Sequence, residues 1–492
     1  MSTLFLVGDA TQEDSLSANF TLTLRKRSVK DLVTQLYVDR HTQSNDYETD
    51  LSVVCYKATG ASALDSLSAF ELQEMLQQHF PCFNLTVVES AAGATAILKE
   101  LQRLRIVCRD RLSRMSNWMF SQNQACSVNI YSMARHLSTL KSMPAVATVS
   151  GTTGSTNGFP SLLTEAIDFK SLLSIPHDDR HYLSLLDTWN FCAHSLNTQE
   201  LIWCSYLIIR KVIDQGSLSI SSIHDNNIFL LLFTLEASYH QGNKFHNFRH
   251  AMDVMQATYQ LCCLLSSSIP SKEHILLLCM AAIGHDVGHP GTNNALLCNH
   301  SSPIAQACEN KSVLENFHTK IFTNMLQAQW PDLLRPTQLS DNNLVISESI
   351  LATDMARHSE YVDKLNLLPA RSSTLTSLIV KAADISNVTR PLEISAKWAV
   401  LITNEFNECA MLEKRLSEPD QKPLPTLPDS NVDFPPTVED IIRMYPMIPK
   451  GQLFFINTFA ENLFAGLGRK FEQLDFLNEN IKRNKQFWLE KS

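Results

Sequence analysis

The stretch Gly284-His285-Asp286-Val287-Gly288-His289-Pro290-Gly291 constrains this chain more than any other. It follows the apolar run Leu276 to Ala282, which carries no charge and reads as a helix buried in a core. Ionisable groups at the end of such a helix are costly unless they are paired or bound to a cation. His285 and Asp286 are therefore read as metal ligands at the rim of a buried helix, one wall of a two-metal hydrolytic site. Pro290-Gly291 ends the segment, and His289 supports the pair from behind.

The remaining ligands must come from elsewhere in the chain. In Phe245-His246-Asn247-Phe248-Arg249-His250 two imidazoles lie four positions apart. On a helix they would share one face, with Cβ atoms about 5–6 Å apart. Such a pair can bind metal together, or divide into a proton donor and a ligand. Asp384 ends a further apolar segment, Val380-Lys381-Ala382-Ala383. Two His and two Asp suit zinc or a similar transition metal with positions left open for water. An aspartate shared with a second, largely hydrated ion such as magnesium would complete a clamp for phosphoryl chemistry.

Around these motifs the chain divides in two. Leu4 to Val7, Leu51 to Cys55 and Phe83 to Val88 read as strands, with helical patterns over Ser66 to His79 and Ala91 to Met119, so residues 1–140 form a small α/β accessory or regulatory domain. Residues 141–164, rich in Ser, Gly and Thr, read as a flexible linker, because such a stretch buries too little apolar surface to offset its ordering entropy. Residues 165–490 are helical almost throughout, with single helices expected at Ser302 to Leu326 and Gly451 to Leu467 among others, and no strand alternation competes. Six prolines between Ser417 and Pro436 mark a loop insertion at 417–436.

A net charge of −9 gives no electrostatic footprint for nucleic acid, so an anionic substrate would have to be held by metal. The longest strongly apolar run, Ile228 to Leu235, is far short of the ~20 residues that span a bilayer. The N-terminus lacks the basic start of a signal peptide. Twelve scattered cysteines without a C-x-x-C pair read as buried free thiols, placing the protein in a reducing compartment, the cytoplasm and as a second option the nucleus. No nucleic-acid or membrane partner is expected; a homodimer is left open.

The ordered motifs His-Asn-x-x-His-Ala-x-Asp-Val, Gly-His-Asp-x-x-His-Pro-Gly, Ser-Val-Leu-Glu-Asn, Leu-Ala-Thr-Asp-Met, Ala-Asp-Ile-Ser-Asn and a late Gln-x-x-Phe resemble the catalytic domain of class I 3′,5′-cyclic nucleotide phosphodiesterases. The surrounding wording is similar to the high-affinity cyclic AMP phosphodiesterases of budding yeasts. The resemblance implies an all-α, multi-helix catalytic domain of the HD/cyclic nucleotide phosphodiesterase type. It implies hydrolysis of cyclic AMP to 5′-AMP, ending a cyclic AMP signal, by a metal-bridging hydroxide. His250, His285, Asp286 and Asp384 would hold a Zn²⁺ ion, with Asp286 bridging to Mg²⁺ or Mn²⁺. His246 would be the general acid, Glu405 the carboxylate that orients it, and Glu315 an acid near the second metal. Gln452 would bind the purine edge with help from Asn387, Phe455 and Ile402 would sandwich the ring, and Trp398, Phe406 and Met355 would line the pocket.

The chain departs from the family pattern at Phe245 for Tyr, at Glu309-Asn310-Lys311 for Tyr-Asn-Asp, at Phe317-His318 for His-His and at Lys381 for His. None of these removes an expected ligand or the acid. Two other functions compete: a phosphohydrolase of ordinary nucleotides, which has no need of His246 together with Gln452 and Phe455, and a cyclic nucleotide sensor, which needs no proton donor.

Overall fold

The computed structural model describes residues 2–8, 14–42, 47–90, 110–120, 158–215, 223–336, 341–367, 372–418 and 434–492. The expected linker up to 157, the helical pattern over 91–109 and most of the proline-rich insertion lie outside these residues.

The N-terminal unit is a four-stranded, wholly parallel sheet in the order β2-β1-β3-β4, formed by β1 (Ser2–Gly8), β2 (Leu22–Lys26), β3 (Leu51–Lys57) and β4 (Asn84–Val88). The central strands β1 and β3 are continuous apolar runs because both of their faces are covered. β2 and the helix α1 (Val29–Thr42), which crosses from β2 to β3, add to the expected elements, and their pattern is plain: Leu22 and Leu24 alternate with threonines, and Val29, Leu32, Val33, Leu36 and Tyr37 recur at helical spacing. α2 (Ala69–His79) makes the next crossover, its start fixed by a reciprocal Ser68–Glu71 capping box. The helix α3 (Arg111–Phe120) leaves the sheet and packs on the helical domain.

Everything from residue 158 onward that the structure describes is helical or connecting. The helix α4 (Phe159–Ala166), with Pro160 in its first turn, occupies the last residues expected to be linker. α5 (Thr198–Asp214), α6 (Asp225–Ala237) and α7 (Phe248–Leu264) follow. α8 (Lys272–Gly284) is the axis of the domain, buried from His274 to Gly284 and packed by α5, α7, α11 (Asn342–Leu351) and α12 (Ser372–Asp384). A helix apolar on every side has no solvent face, so its end must lie inside the molecule.

The single helix expected over Ser302 to Leu326 is two, α9 (Pro303–Ala307) and α10 (Val313–Gln329). Glu309, Asn310 and Ser312 between them take positive φ angles of 54°, 58° and 42°. The Ser312 hydroxyl donates to the Asp354 carboxylate at 2.6 Å, which helps to hold this corner. The long α13 (Leu392–Ser417) runs beside the site, and the C-terminal pattern resolves into α14 (Ile448–Phe455), one wide π-type turn at Ile456–Ala460, α15 (Glu461–Lys470) and α16 (Asp475–Lys491). Among the described residues no helix is long and apolar enough to cross a membrane.

Gly284 shows how tightly α8 is seated. A Cβ there would lie 2.5 Å from the ring of Phe322 on α10. Gly284→Ala should therefore cost about 1–3 kcal/mol through overpacking, read as a lowered midpoint of thermal unfolding.

Candidate metal centre

Four side chains converge where three helices begin or end. His250 sits in the first turn of α7, His285 and Asp286 follow the last residue of α8, and Asp384 is the last residue of α12. The α7 start is set by Asn247, whose side chain accepts from Arg249 N at 3.0 Å and His250 N at 3.3 Å. This cap places His246 before the helix, so His246 and His250 do not share a helical face as the spacing suggests. Their rings meet edge to face with centroids 5.8 Å apart.

His250 Nε2 lies 3.1 Å from Asp384 Oδ1 and 3.7 Å from Asp286 Oδ2, while His285 Nε2 lies 3.3 Å and 3.1 Å from the same two oxygens. Ligand atoms about 2.0–2.2 Å from one zinc ion stand about 3.0–3.5 Å from each other, so these spacings fit a shared cation. The His285 ring is turned for it: Nδ1 donates to Ala282 O at 2.7 Å, leaving the Nε2 lone pair facing inward. His285 Nε2 and Asp286 Oδ2 are both buried without a hydrogen-bond partner. Asp384 adds a carboxylate at a helix C-terminus, where the backbone dipole disfavours an anion. The residues present fit a divalent cation.

On its other side Asp286 faces a second group. Oδ1 lies 3.8 Å from His318 Nε2, and Asp286, His289 and His318 lie close enough to hold an ion together. His318 Nδ1 donates to Val287 O at 2.8 Å, so its Nε2 also presents a lone pair, buried and unpartnered. His318, one of the departures from the family pattern, thus belongs to the site. Glu315 is half-buried, accepts from Asn294 Nδ2 at 3.0 Å and 3.3 Å, and is raised to about 7 by burial and by the neighbouring Asp354.

His246 stands beside both groups, its side chain 23% exposed. Its Nδ1 is hydrogen-bonded to Glu405 Oε1, and the other Glu405 oxygen accepts from Phe245 N at 2.8 Å and His246 N at 3.1 Å. Burial works against a charged imidazole here, but the Glu405 carboxylate, with Asp286 and Asp384 behind it, outweighs this and raises His246 to about 9. Burial likewise opposes ionisation of Glu405, and the His246 charge overcomes it to hold Glu405 at about 2.

Of the expected pocket residues, Gln452 is nearly buried and its Oε1 has no hydrogen-bond partner, while Phe455, one turn on along α14, Ile402 on α13, Asn387 and Met355 are half-buried. Trp398 departs from expectation. It is 1% exposed and meets the rings of Phe245 and His250 edge to face, with centroids 5.5 Å and 5.7 Å away, so it backs a ligand rather than lining an opening. Phe406 is 58% exposed on α13. Lys381 is fully buried, and its Nζ donates to the carbonyls of Ala352 at 2.9 Å and Asp354 at 3.2 Å, bracing the segment that carries Met355.

This fold and this cluster of imidazoles and carboxylates define a hydrolase with an all-helical catalytic domain. Residues 245–481 match the family described as 3′5′-cyclic nucleotide phosphodiesterase. The chain is 41% identical to 3′,5′-cyclic-nucleotide phosphodiesterase 2 of Saccharomyces cerevisiae, over 99% of each chain. It is 27% identical, over 52% of this chain and 33% of the relative, to a mouse (Mus musculus) enzyme named high affinity cAMP-specific and IBMX-insensitive 3′,5′-cyclic phosphodiesterase 8A. The crystal structure of yeast caPDE2 superposes with a TM-score of 0.87 at 28% identity, covering 100% of this chain and 99% of that one. The chain belongs to the 3′,5′-cyclic nucleotide phosphodiesterase family, whose members depend on divalent metal, and it is a hydrolase of cyclic nucleotides.

The His246–Glu405 pair stabilises the fold over a defined pH window. The raised His246 contributes fully below its ordinary value of 6.5, and that contribution fades as pH rises toward 9. The depressed Glu405 contributes above its ordinary value of 4.5, fading as pH falls toward 2. In urea unfolding of the metal-free protein, wild type and Glu405→Gln should differ most between pH 4.5 and 6.5 and converge on either side.

Proposed function

We propose that the protein hydrolyses 3′,5′-cyclic AMP to 5′-AMP, with His246 as general acid, and thereby ends a cyclic AMP signal. One observation carries the reading: a cation-ready cluster of His250, His285, Asp286 and Asp384 stands next to an imidazole that Glu405 keeps protonated. Bound divalent cations would neutralise the cyclic phosphate and make an attacking water nucleophilic. The nitrogen and oxygen donors of the four-residue cluster suit Zn²⁺. The far side of Asp286, with Glu315 and imidazoles around it, suits a hydrated Mg²⁺ or Mn²⁺.

Glu405 accepts from His246 Nδ1, which leaves Nε2 as the atom that gives its proton to the departing 3′ oxygen. That oxygen would otherwise leave as an unstable alkoxide. Gln452 offers its amide to the purine edge, with Asn387 assisting, and Phe455 and Ile402 hold the ring. An amide can present donor or acceptor by rotating, so cyclic AMP is preferred here on the likeness to cyclic AMP enzymes rather than on a lock around Gln452. Free thiols at Cys82, Cys192, Cys204, Cys262, Cys263, Cys279, Cys298 and Cys409 support a reducing compartment, the cytoplasm or the nucleus.

Asp384→Ala should lose metal and turnover together. His246→Ala should keep its metal and lose about 10²- to 10⁴-fold in rate. Metal analysis and kinetics on both variants, with cyclic AMP and cyclic GMP assayed side by side and with chelator, test the reading. A His246→Ala enzyme of undiminished rate would refute the assignment of the acid.

A further inference from the structure

The loop that carries His246 is held from outside the catalytic domain. The Arg111 side chain on α3 is 1% exposed and reaches between two segments of the site. Its Nη2 donates to Asn243 Oδ1 at 2.5 Å, and its Nε donates to Glu408 Oε2 at 3.3 Å, one turn along α13 from Glu405. Asn243 Nδ2 in turn donates to the carbonyl of His246 at 2.8 Å and to that of His289 at 2.7 Å. Gly242 and Gly291 make room for the guanidinium: a Cβ at either would stand 2.9 Å or 2.8 Å from it. The ring of Trp118, from the same helix, has its centroid 5.6 Å from the guanidinium carbon and stacks on His240 at the start of the loop, with centroids 3.8 Å apart.

We propose that Arg111 is a positioning residue for His246, supplied to the active site by the N-terminal region. A guanidinium has donors only, so the group facing it must be the Asn243 oxygen. That choice turns the Asn243 NH₂ toward the two carbonyls. Without Arg111 the Asn243 oxygen loses its buried partner, and the donor that ties the acid's backbone to His289 is held less firmly. The bond from Arg111 to Glu408 sets the same loop against the helix that bears Glu405. Arg111 lies outside residues 245–481, so the matched family segment does not contain this support. An error of ~1 Å in the placement of a reacting group can cost on the order of 10²-fold.

The inference rests on His246 being the general acid, and the test separates the two claims. Cyclic AMP is compared with an analogue bearing sulphur in place of the bridging 3′ oxygen; a thiolate leaves readily without a proton. His246→Ala, run in parallel, should be slow on cyclic AMP and close to wild type on the analogue; equal losses on both would refute the acid assignment itself. Given that selective loss, Arg111→Gln should lower kcat for cyclic AMP about 10- to 100-fold, with KM and bound metal unchanged and the analogue spared. Asn243→Asp, which keeps a partner for Arg111 and removes the donor to the two carbonyls, should show the same selectivity. Combining Arg111→Gln with His246→Ala should add no further loss. Equal losses on both substrates, undiminished cyclic AMP turnover, or an Arg111→Gln protein that does not fold would each overturn the proposal.

Discussion

Two carboxylates, the buried Asp286 and the half-buried Asp384, approach the same two imidazoles, and the domain is arranged around that encounter. Such a cluster is stable only with compensating positive charge. The helices meet this need by ending there: α8 and α12 deliver their C-terminal ends to one point, and α7 starts beside them. Because α8 is apolar on every side, the point lies deep inside the bundle, where a cation acts with little screening. The interior that makes the carboxylates expensive also makes the metal effective.

The sequence carried the ligands legibly because each sits at the end of an apolar helical run, where a His or Asp has no ordinary reason to be. His285, Asp286 and Asp384 stood out on that ground, and their partners followed from motif order. Helix breaks were less legible. The corner at Glu309, Asn310 and Ser312 uses left-handed backbone on residues other than glycine, and one of its supports, Asp354, lies some forty positions away. Trp398 illustrates a different limit, since an aromatic at helical spacing looks alike whether it faces a pocket or backs a ligand. His318 was visible only as a departure from a pattern, and its importance comes from the Val287 carbonyl that turns it toward Asp286.

The joint between the two units was hidden for a similar reason, as its partners are distant in the chain. Arg40 on α1, 2% exposed, pairs with Glu236 at 3.1 Å and Glu48 at 2.9 Å, and also donates to Tyr239 O at 2.5 Å. Glu48 accepts from Gln241 N at 2.8 Å, and His79 bonds Thr234 at 2.9 Å. Buried ion pairs of this kind add little net stability over apolar packing, but a mismatched register would strand charges, so they specify one way of docking. The sheet is thereby fixed to the end of α6 and to the loop after it, residues 239–243, which leads directly to His246.

The resulting geometry also decides where a proton resides. His246, His289 and His318 form a stack, with centroids 4.0 Å and then 5.5 Å apart and planes nearly parallel. Three adjacent imidazolium ions would repel one another strongly, so at most one carries charge. The backbone makes the selection: His289 Nδ1 accepts from Gly291 N at 3.0 Å and His318 Nδ1 donates to a carbonyl, neither of which supplies a counter-charge. Burial pushes His289 well below the usual imidazole range and His318 down to about 4. Only His246 has a carboxylate on its inner nitrogen. The stack is therefore polarised, with a proton at the end where a leaving group would need one and the open lone pair of His318 Nε2 at the end that faces Asp286. The same residue type serves acid and metal-facing roles because Glu405 stands at one end of the row and not at the other.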